Sequence, residues 1–507
     1  MLSDIRATVK DAFVYGLGNL SVKLIGFVLL PLYLQKLTPA DYGVLGLLEV
    51  TTQVLVQLFG LELYQALMRW YWDPDHRHQQ RAMFFTVLVF LSGVVILLTL
   101  GLLPLTEKIS GWLFRTAEYD FLVRLMLFSV ALQVVTLIPS TLLRVQSKPG
   151  LYSVTHILNL SVSLGLTIFF IVSLGMKVEG IYLAQIAGYV FNLLILSGFI
   201  VRQIEWRFEG KLLKAMLKYS LPFVASSVAG MFLVLADRYI LNYFGGLADV
   251  GVYSLGFKIS NTIKVLIISS VQLAIYPIMF KMVDQPHARR FYSKVMTYLT
   301  FGTMIFILGV SLYGREIVKF FTGNRAYWEA FRIIPLLCFS ILFGMLKDTA
   351  TIGLAIVKKT QLIASLIVAM SLLNIGLNIL LIPHYQALGA ALAALLTQML
   401  FFGAMLYFAQ RHYPVPYEIA KIFKMIIVAG GMVGLSFGMG GWPLLLRIGS
   451  KLGLIILYPI ALYFWRFYEP IEQLRLREIW KKWRHIRAWK TNLNQLFESK
   501  NEEGNHA

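Results

Sequence analysis

Apolar residues run through this chain in about fourteen stretches, each roughly 20 residues long and separated by short polar breaks. A helix needs about 20 mostly apolar residues to cross the hydrocarbon core of a bilayer. The stretches fall at about 12–36, 43–67, 82–105, 122–143, 151–174, 180–201, 219–243, 250–277, 295–313, 332–356, 362–382, 388–410, 422–441 and 448–467. The pattern predicts an all-α membrane protein of about 14 transmembrane helices, with too little chain between them for a soluble catalytic domain. The first run has no small-residue cleavage site, so it is expected to be a retained span and not a signal peptide.

Two short patterns recur at nearly the same offset. Ala40-Asp41-Tyr42-Gly43-Val44 is matched by Ala248-Asp249-Val250-Gly251-Val252, 208 positions on, and Gly180-Ile181-Tyr182-Leu183-Ala184 by Gly389-Ala390-Ala391-Leu392-Ala393. The repeat unit is then six spans. An even unit gives two lobes of the same orientation, related by a pseudo-two-fold axis along the membrane normal. The expected division is residues 1–205 (spans 1–6), 206–415 (spans 7–12), 416–468 (spans 13–14) and a tail, 469–507. In the tail, Leu474, Trp480, Trp483, Ile486 and Trp489 recur at helical spacing between Lys and Arg. That fits a basic amphipathic helix on anionic headgroups, with a partner-binding helix as the rival.

Composition agrees with a membrane protein. Of 507 residues, 58% are hydrophobic and only 14% charged, against about 25% charged in soluble domains. The net charge of +20 would raise nucleic acid as a partner of a soluble protein. Here the excess gathers in alternate loops, such as Arg69/Arg77/Arg81, Arg144/Lys148 and Arg202/Arg207/Lys211, and in the tail. No nucleic-acid partner is expected. The positive-inside rule instead puts both termini in the cytoplasm. The lone Cys338 can form no intramolecular disulfide, and the eight histidines are scattered, so no metal centre is expected.

Charges that interrupt the spans carry the functional argument, because a charge near the bilayer centre is costly unless it faces water or a partner. Candidates for lining a substrate cavity are Lys23, Glu49, Gln53, Arg69, Asp237, Arg238, Lys258, Lys264, Lys347 and Asp348. They concentrate in spans 1, 2, 7, 8 and 10, whereas spans 3, 5, 6, 9 and 12 look almost free of mid-membrane polar groups. Each has a plainer reading. Arg69, Lys264 and Lys347 could snorkel to headgroups, and Asp237 could pair with a neighbouring cation purely to hold the bundle. Together they suggest a polar cavity between the lobes in which cations outnumber carboxylates. Such a cavity suits an anionic substrate, with diphosphate a candidate because Lys and Arg supply charge-assisted donors. No cofactor is expected; the carboxylates could bind a coupling H+ or Na+.

Several segments resemble those of a known family. Leu37-Thr38-Pro39-Ala40-Asp41-Tyr42-Gly43 is similar to the motif after the first helix of polysaccharide biosynthesis and export proteins, and Gly60-Leu61 with Ala66 and Arg69 to their second-helix ending. Ser220-Leu221-Pro222, Asp237-Arg238, Asp249-x-Gly251-x-Tyr253, and Gln272 with Pro277 resemble their seventh and eighth helices. Thr38 departs from the Gly that the family often has there, and the tail after Phe467 is long. The resemblance implies a flippase of the Wzx type, in the superfamily that includes MATE exporters and lipid II flippases. It implies two six-helix lobes around a cationic cavity, alternating access, and a bacterial inner-membrane location. The implied substrate is an undecaprenyl-diphosphate-linked oligosaccharide, with membrane lipid and polysaccharide assembly proteins as further partners. Three alternatives stay open: a MATE-type drug/cation antiporter, which predicts an acidic cavity; a lipid II-type flippase; and a membrane polysaccharide polymerase or ligase. The last needs a catalytic external loop, and loops 106–121 and 314–331 carry no such constellation. A non-enzymatic transporter is the expectation.

Overall fold

The structure is a computed structural model and describes residues 28–470 and 472–474. Its helices, in chain order, are α1 (Leu30–Lys36), α2 (Pro39–Gly60), α3 (Leu63–Trp70), α4 (Gln80–Leu102), α5 (Thr106–Phe114), α6 (Asp120–Val145), α7 (Pro149–Ile168), α8 (Val178–Gln203) and α9 (Gly210–Phe244). They continue as α10 (Leu247–Ile263), α11 (Ser269–Lys281), α12 (Ala288–Leu312), α13 (Gly314–Phe321), α14 (Ala330–Ile356), α15 (Thr360–His412), α16 (Ile419–Gly438) and α17 (Leu444–Phe464). No strand occurs among the described residues.

Among those residues, 11 helices are long and apolar enough to cross a membrane, or 12 when α9, bent by 50° between Phe232 and Leu235, is counted as one span. One of the 11 is α15, whose 53 residues would stretch about 80 Å if straight. It is broken at Gln386, with φ 49° and ψ −127°, and so serves as two spans, where the hydropathy placed a break between 382 and 388. Expected spans 2–14 all have helices; most of span 1, including Lys23, and the amphipathic tail lie outside the described residues.

The repeat is visible in the order of elements. The short helix α5 after the third span begins at 106 and its counterpart α13 at 314, again 208 positions apart. The recurring Ala-Asp-x-Gly-Val segments open α2 and α10, and these two helices pack on each other. At their crossing, a Cβ on Gly43 would stand 1.9 Å from the carbonyl oxygen of Leu247, and one on Gly251 2.0 Å from that of Pro39. Each half thus presents its own copy of the motif to the other, backbone against backbone, which only glycine permits. Thr38 acts as the N-cap of α2, accepting a hydrogen bond from Asp41 N (3.2 Å) while the Asp41 carboxylate accepts one from Thr38 N (3.0 Å). That reciprocal cap satisfies two otherwise orphaned donors and gives the departure from Gly at position 38 a physical reason.

The halves meet again near the opposite end. Leu212, Leu213 and Met216 at the start of α9 are buried with Leu63, Leu67, Phe84 and Leu142 of the first half, and Trp70 meets Tyr219 edge-on at 5.0 Å. Between these two contacts lie the cavities.

Besides the break in α15 and a π-helical turn at Phe169–Ser173, three elements depart from smooth spans. Span 2 ends at Gly60, because Leu61 and Glu62 both take left-handed conformations (φ 47° and 52°) before α3 restarts. Span 8 carries a π-helical turn at Lys264–Ile268, a feature that often marks functional sites. The bend in α9 lies past Pro222, which is accommodated inside the helix.

Candidate functional site

Three neighbouring cavities occupy the interior. The first, about 500 Å³, lies in the first half and is lined by Tyr33 of α1, Glu49 of α2, and side chains of α6, α7 and α8, with Lys258 of α10 at its edge. The second, about 460 Å³, lies between the halves and is lined by Glu49, Gln53, Arg238, Ser254, Lys258, Asn261 and Lys264, among others. The third, about 250 Å³, lies in the second half and holds Asp237, Lys264, Lys347 and Asp348. Glu49 and Lys258 border the first and second cavities; Asn261 and Lys264 border the second and third.

The sequence candidates thus converge, with two exceptions. Lys23 lies outside the described residues. Arg69 lines none of the three cavities: it is exposed, pairs with Asp73 at 3.5 Å and leans over the Trp70 ring at 5.9 Å. The break at Leu61–Glu62 places it on a separate short helix.

Each carboxylate in the cavities has a partner. Glu49 faces Lys258 at 3.9 Å, and the ammonium also sits 5.8 Å from the Tyr33 ring centre. Asp348 pairs with Lys347 at 2.6 Å, whose ammonium lies 4.9 Å from the Phe401 ring. Asp237 is buried, accepts hydrogen bonds from the Tyr253 hydroxyl and from Arg238 N (2.8 Å), and lies 3.8 Å from the Arg238 guanidinium. That guanidinium is gripped by the Phe257 ring at 4.4 Å and by the Ser254 hydroxyl at 3.3 Å. Its Nη1, buried and 3.8 Å from Asp237, makes no hydrogen bond among the described residues, while Arg238 itself borders the second cavity.

Sequence reasoning missed the polar lining of the first cavity. His156 and Asn159 of α7, and Gln185 and Asn192 of α8, all face it, although spans 5 and 6 had looked nearly free of such groups. Arg144, counted as a loop cation, lines it too. The spacing carried a signal: 156, 159 and 163, and 185, 189 and 192, each fall on one helical face. Among the described residues that line the three cavities, five Lys or Arg side chains (Arg144, Arg238, Lys258, Lys264, Lys347) accompany three carboxylates. The net cationic balance expected from the sequence is present in the lining.

The family model described as "Polysaccharide biosynthesis protein" matches residues 8–283, more than half of the chain. The chain belongs to this polysaccharide biosynthesis family. A probable low-salt glycan biosynthesis flippase of Haloferax volcanii is 23% identical over 321 residues. The match covers 61% of this chain and 66% of that protein, just under two thirds of the relative's length. Among solved structures, the lipid II flippase MurJ in an inward closed conformation superposes with a TM-score of 0.72 at 14% identity, over 90% of this chain and 99% of that one. A MATE-family multidrug resistance transporter of the MOP superfamily, inward-facing, gives 0.62 at 15% identity, over 79% and 96%. At such identities the likeness shows the fold alone, one shared with both of these proteins. The family member described here has the helices of a multi-pass membrane protein, and the proteins it resembles are described as flippases and a transporter.

Proposed function

We propose that the protein flips a lipid-linked oligosaccharide, carried on undecaprenyl diphosphate, across the bacterial inner membrane by alternating access. The observation that carries this reading is the cationic excess of the cavity lining. Lys258, Arg238, Lys264 and Lys347, all of the second half, line a path from the border of the first cavity into the third, where a diphosphate entering from one side would find charge-assisted donors. The Haloferax relative, a glycan biosynthesis flippase by its description, supports the substrate class. We assign residues 1–205 and 206–415 to the two moving lobes and 416–468 to an added pair of spans, with both termini cytoplasmic. The two contacts between halves, one at the α2–α10 crossing and one at the start of α9, lie on either side of the cavities. Alternating access requires that they open in turn.

The MATE-like fold raises drug/cation antiport as a second reading. The balance of the lining argues against it, since a cationic drug calls for carboxylates in excess and here Lys and Arg outnumber them. A complementation experiment separates the two. In a strain lacking the gene, Lys258→Glu is expected to fail to restore surface display of the glycan while accumulating in the membrane as well as wild type. Normal display by a gene-null strain would end the flippase reading, and Asp237-dependent ethidium efflux would favour antiport.

A further inference from the structure

The three cavities differ in chemistry, and the difference points to a division of labour. The second and third are lined by Lys, Arg and carboxylate groups. Among the described residues, the first has charge only at Arg144, Glu49 and Lys258, with His156 beside them; between these its polar surface is amide and hydroxyl, set among tyrosine rings. Neutral amides with aromatic faces suit a polyhydroxylated, uncharged ligand: amides both donate and accept, and rings cover the apolar faces of a sugar.

Several of these polar atoms have spare capacity. Asn192 is 1% exposed, and its amide oxygen has no hydrogen-bond partner among the described residues. The same holds for Asn159 Oδ1 and His156 Nε2 on the facing helix. A buried amide left unpaired is costly, and such groups in a roomy cavity are what a ligand with many hydroxyls would satisfy. The volume of about 500 Å³ lies within the usual range of small-molecule sites.

Resting on the flippase reading, we propose that the first-half cavity is the glycan pocket: it takes the carrier-proximal sugars of the lipid-linked substrate, while the diphosphate sits between the halves on Lys258 and Arg238. The shared border fits this. Lys258 and Glu49 belong to both cavities, so a substrate whose diphosphate meets Lys258 in the second cavity has its first sugars at the mouth of the first. Selectivity among glycans then resides in α7 and α8, and retention of the carrier in α9 and α10.

The test uses the full-length protein in lipid nanodiscs with two probes: undecaprenyl diphosphate, which has no sugar, and the lipid-linked glycan fraction extracted from cells that carry this gene. Wild type is expected to bind the glycan-bearing probe about tenfold or more tightly than the bare carrier. Asn192→Leu removes the unpaired amide at similar volume and should abolish that advantage while leaving affinity for the bare carrier unchanged. Gln185→Leu, on a less buried position of the same wall, gives the same readout if Asn192→Leu does not accumulate. Arg238→Gln should weaken both probes equally. Variants of Asn192 and Gln185 that keep the wild-type preference, or that weaken both probes alike, overturn the glycan pocket and leave the flippase reading standing. Wild-type protein that binds neither probe would overturn the flippase reading, and the pocket with it.

Discussion

At the scale of single residues, the Asp237–Arg238 pair shows how a buried charge is tolerated in a membrane interior. Both side chains are almost fully buried, and neither would be stable there alone. The carboxylate has the Tyr253 hydroxyl, and the guanidinium has the Phe257 ring and Ser254. Removing one member should cost more than removing both. Arg238→Leu leaves Asp237 uncompensated and is expected to lower stability by about 3–5 kcal/mol. The double variant Asp237→Asn/Arg238→Leu should recover a good part of that loss. Melting curves of the purified single and double variants check this; additive losses would mean that the two side chains are not energetically coupled. Charges of this kind were legible in the sequence because a Lys or Asp stands out in an apolar run. Asn159, Gln185 and Asn192 were not, since one or two amides per span are common in membrane helices and only their shared cavity makes them a set. Arg69 was misleading for the opposite reason: the left-handed pair Leu61–Glu62, which moves it onto a separate helix, involves no glycine or proline and leaves no mark in composition.

At the scale of elements, the Ala-Asp-x-Gly-Val repeat was readable as a repeat, and the structure shows what the repetition is for. The two copies meet each other, so Gly43 and Gly251 are held by a contact between halves and not by turn geometry. Gly46 has the same constraint, with the Ser254 hydroxyl 2.5 Å from where its Cβ would stand. A side chain at Gly43 must push α2 and α10 apart at this end. In a Cys338→Ser background, a cysteine placed at Ser254 is expected to resist an impermeant maleimide added to intact spheroplasts. Adding Gly43→Val should make it reactive, because the crossing no longer seals. Equal labelling with and without Gly43→Val would show that the crossing is not a seal. The bend in α9 and the π-helical turn after α10 were not legible. Both are adjustments of backbone hydrogen bonding to the packing of neighbouring helices, and no local residue type demands them.

At the scale of the whole molecule, the two added spans are fastened to the second half by ion pairs at each end. At one end Glu316 of α13 accepts from Arg447 (2.6 Å) and Lys451 (2.7 Å) of α17. At the other, Glu418 accepts from Lys294 (2.8 Å), Lys421 (2.8 Å) and Thr297 (2.7 Å), and Glu469 accepts from Lys294 and Lys421. Hydrogen bonds from Lys294 and Lys421 hold the Glu469 carboxyl at a pKa of about 2. Burial acts to raise Glu418, but hydrogen bonds from Lys294, Lys421 and Thr297 outweigh it and keep its pKa below the ordinary value of 4.5. Both folded values lie below the unfolded one, so the unfolded chain binds more protons over this range. The stabilisation is therefore complete above about pH 4.5 and is lost as pH falls from there toward the folded value of about 2. The melting temperature of the detergent-solubilised protein should be flat from pH 8 to about pH 5 and fall below that. Lys294→Met removes the cation shared by both carboxylates, so it should lower the neutral-pH melting temperature and shrink the acid step. A variant with an undiminished acid step would place the acid sensitivity in other carboxylates, and the attachment of the added spans would then rest on apolar packing, such as the stacking of Phe301 on Tyr458 and Phe467.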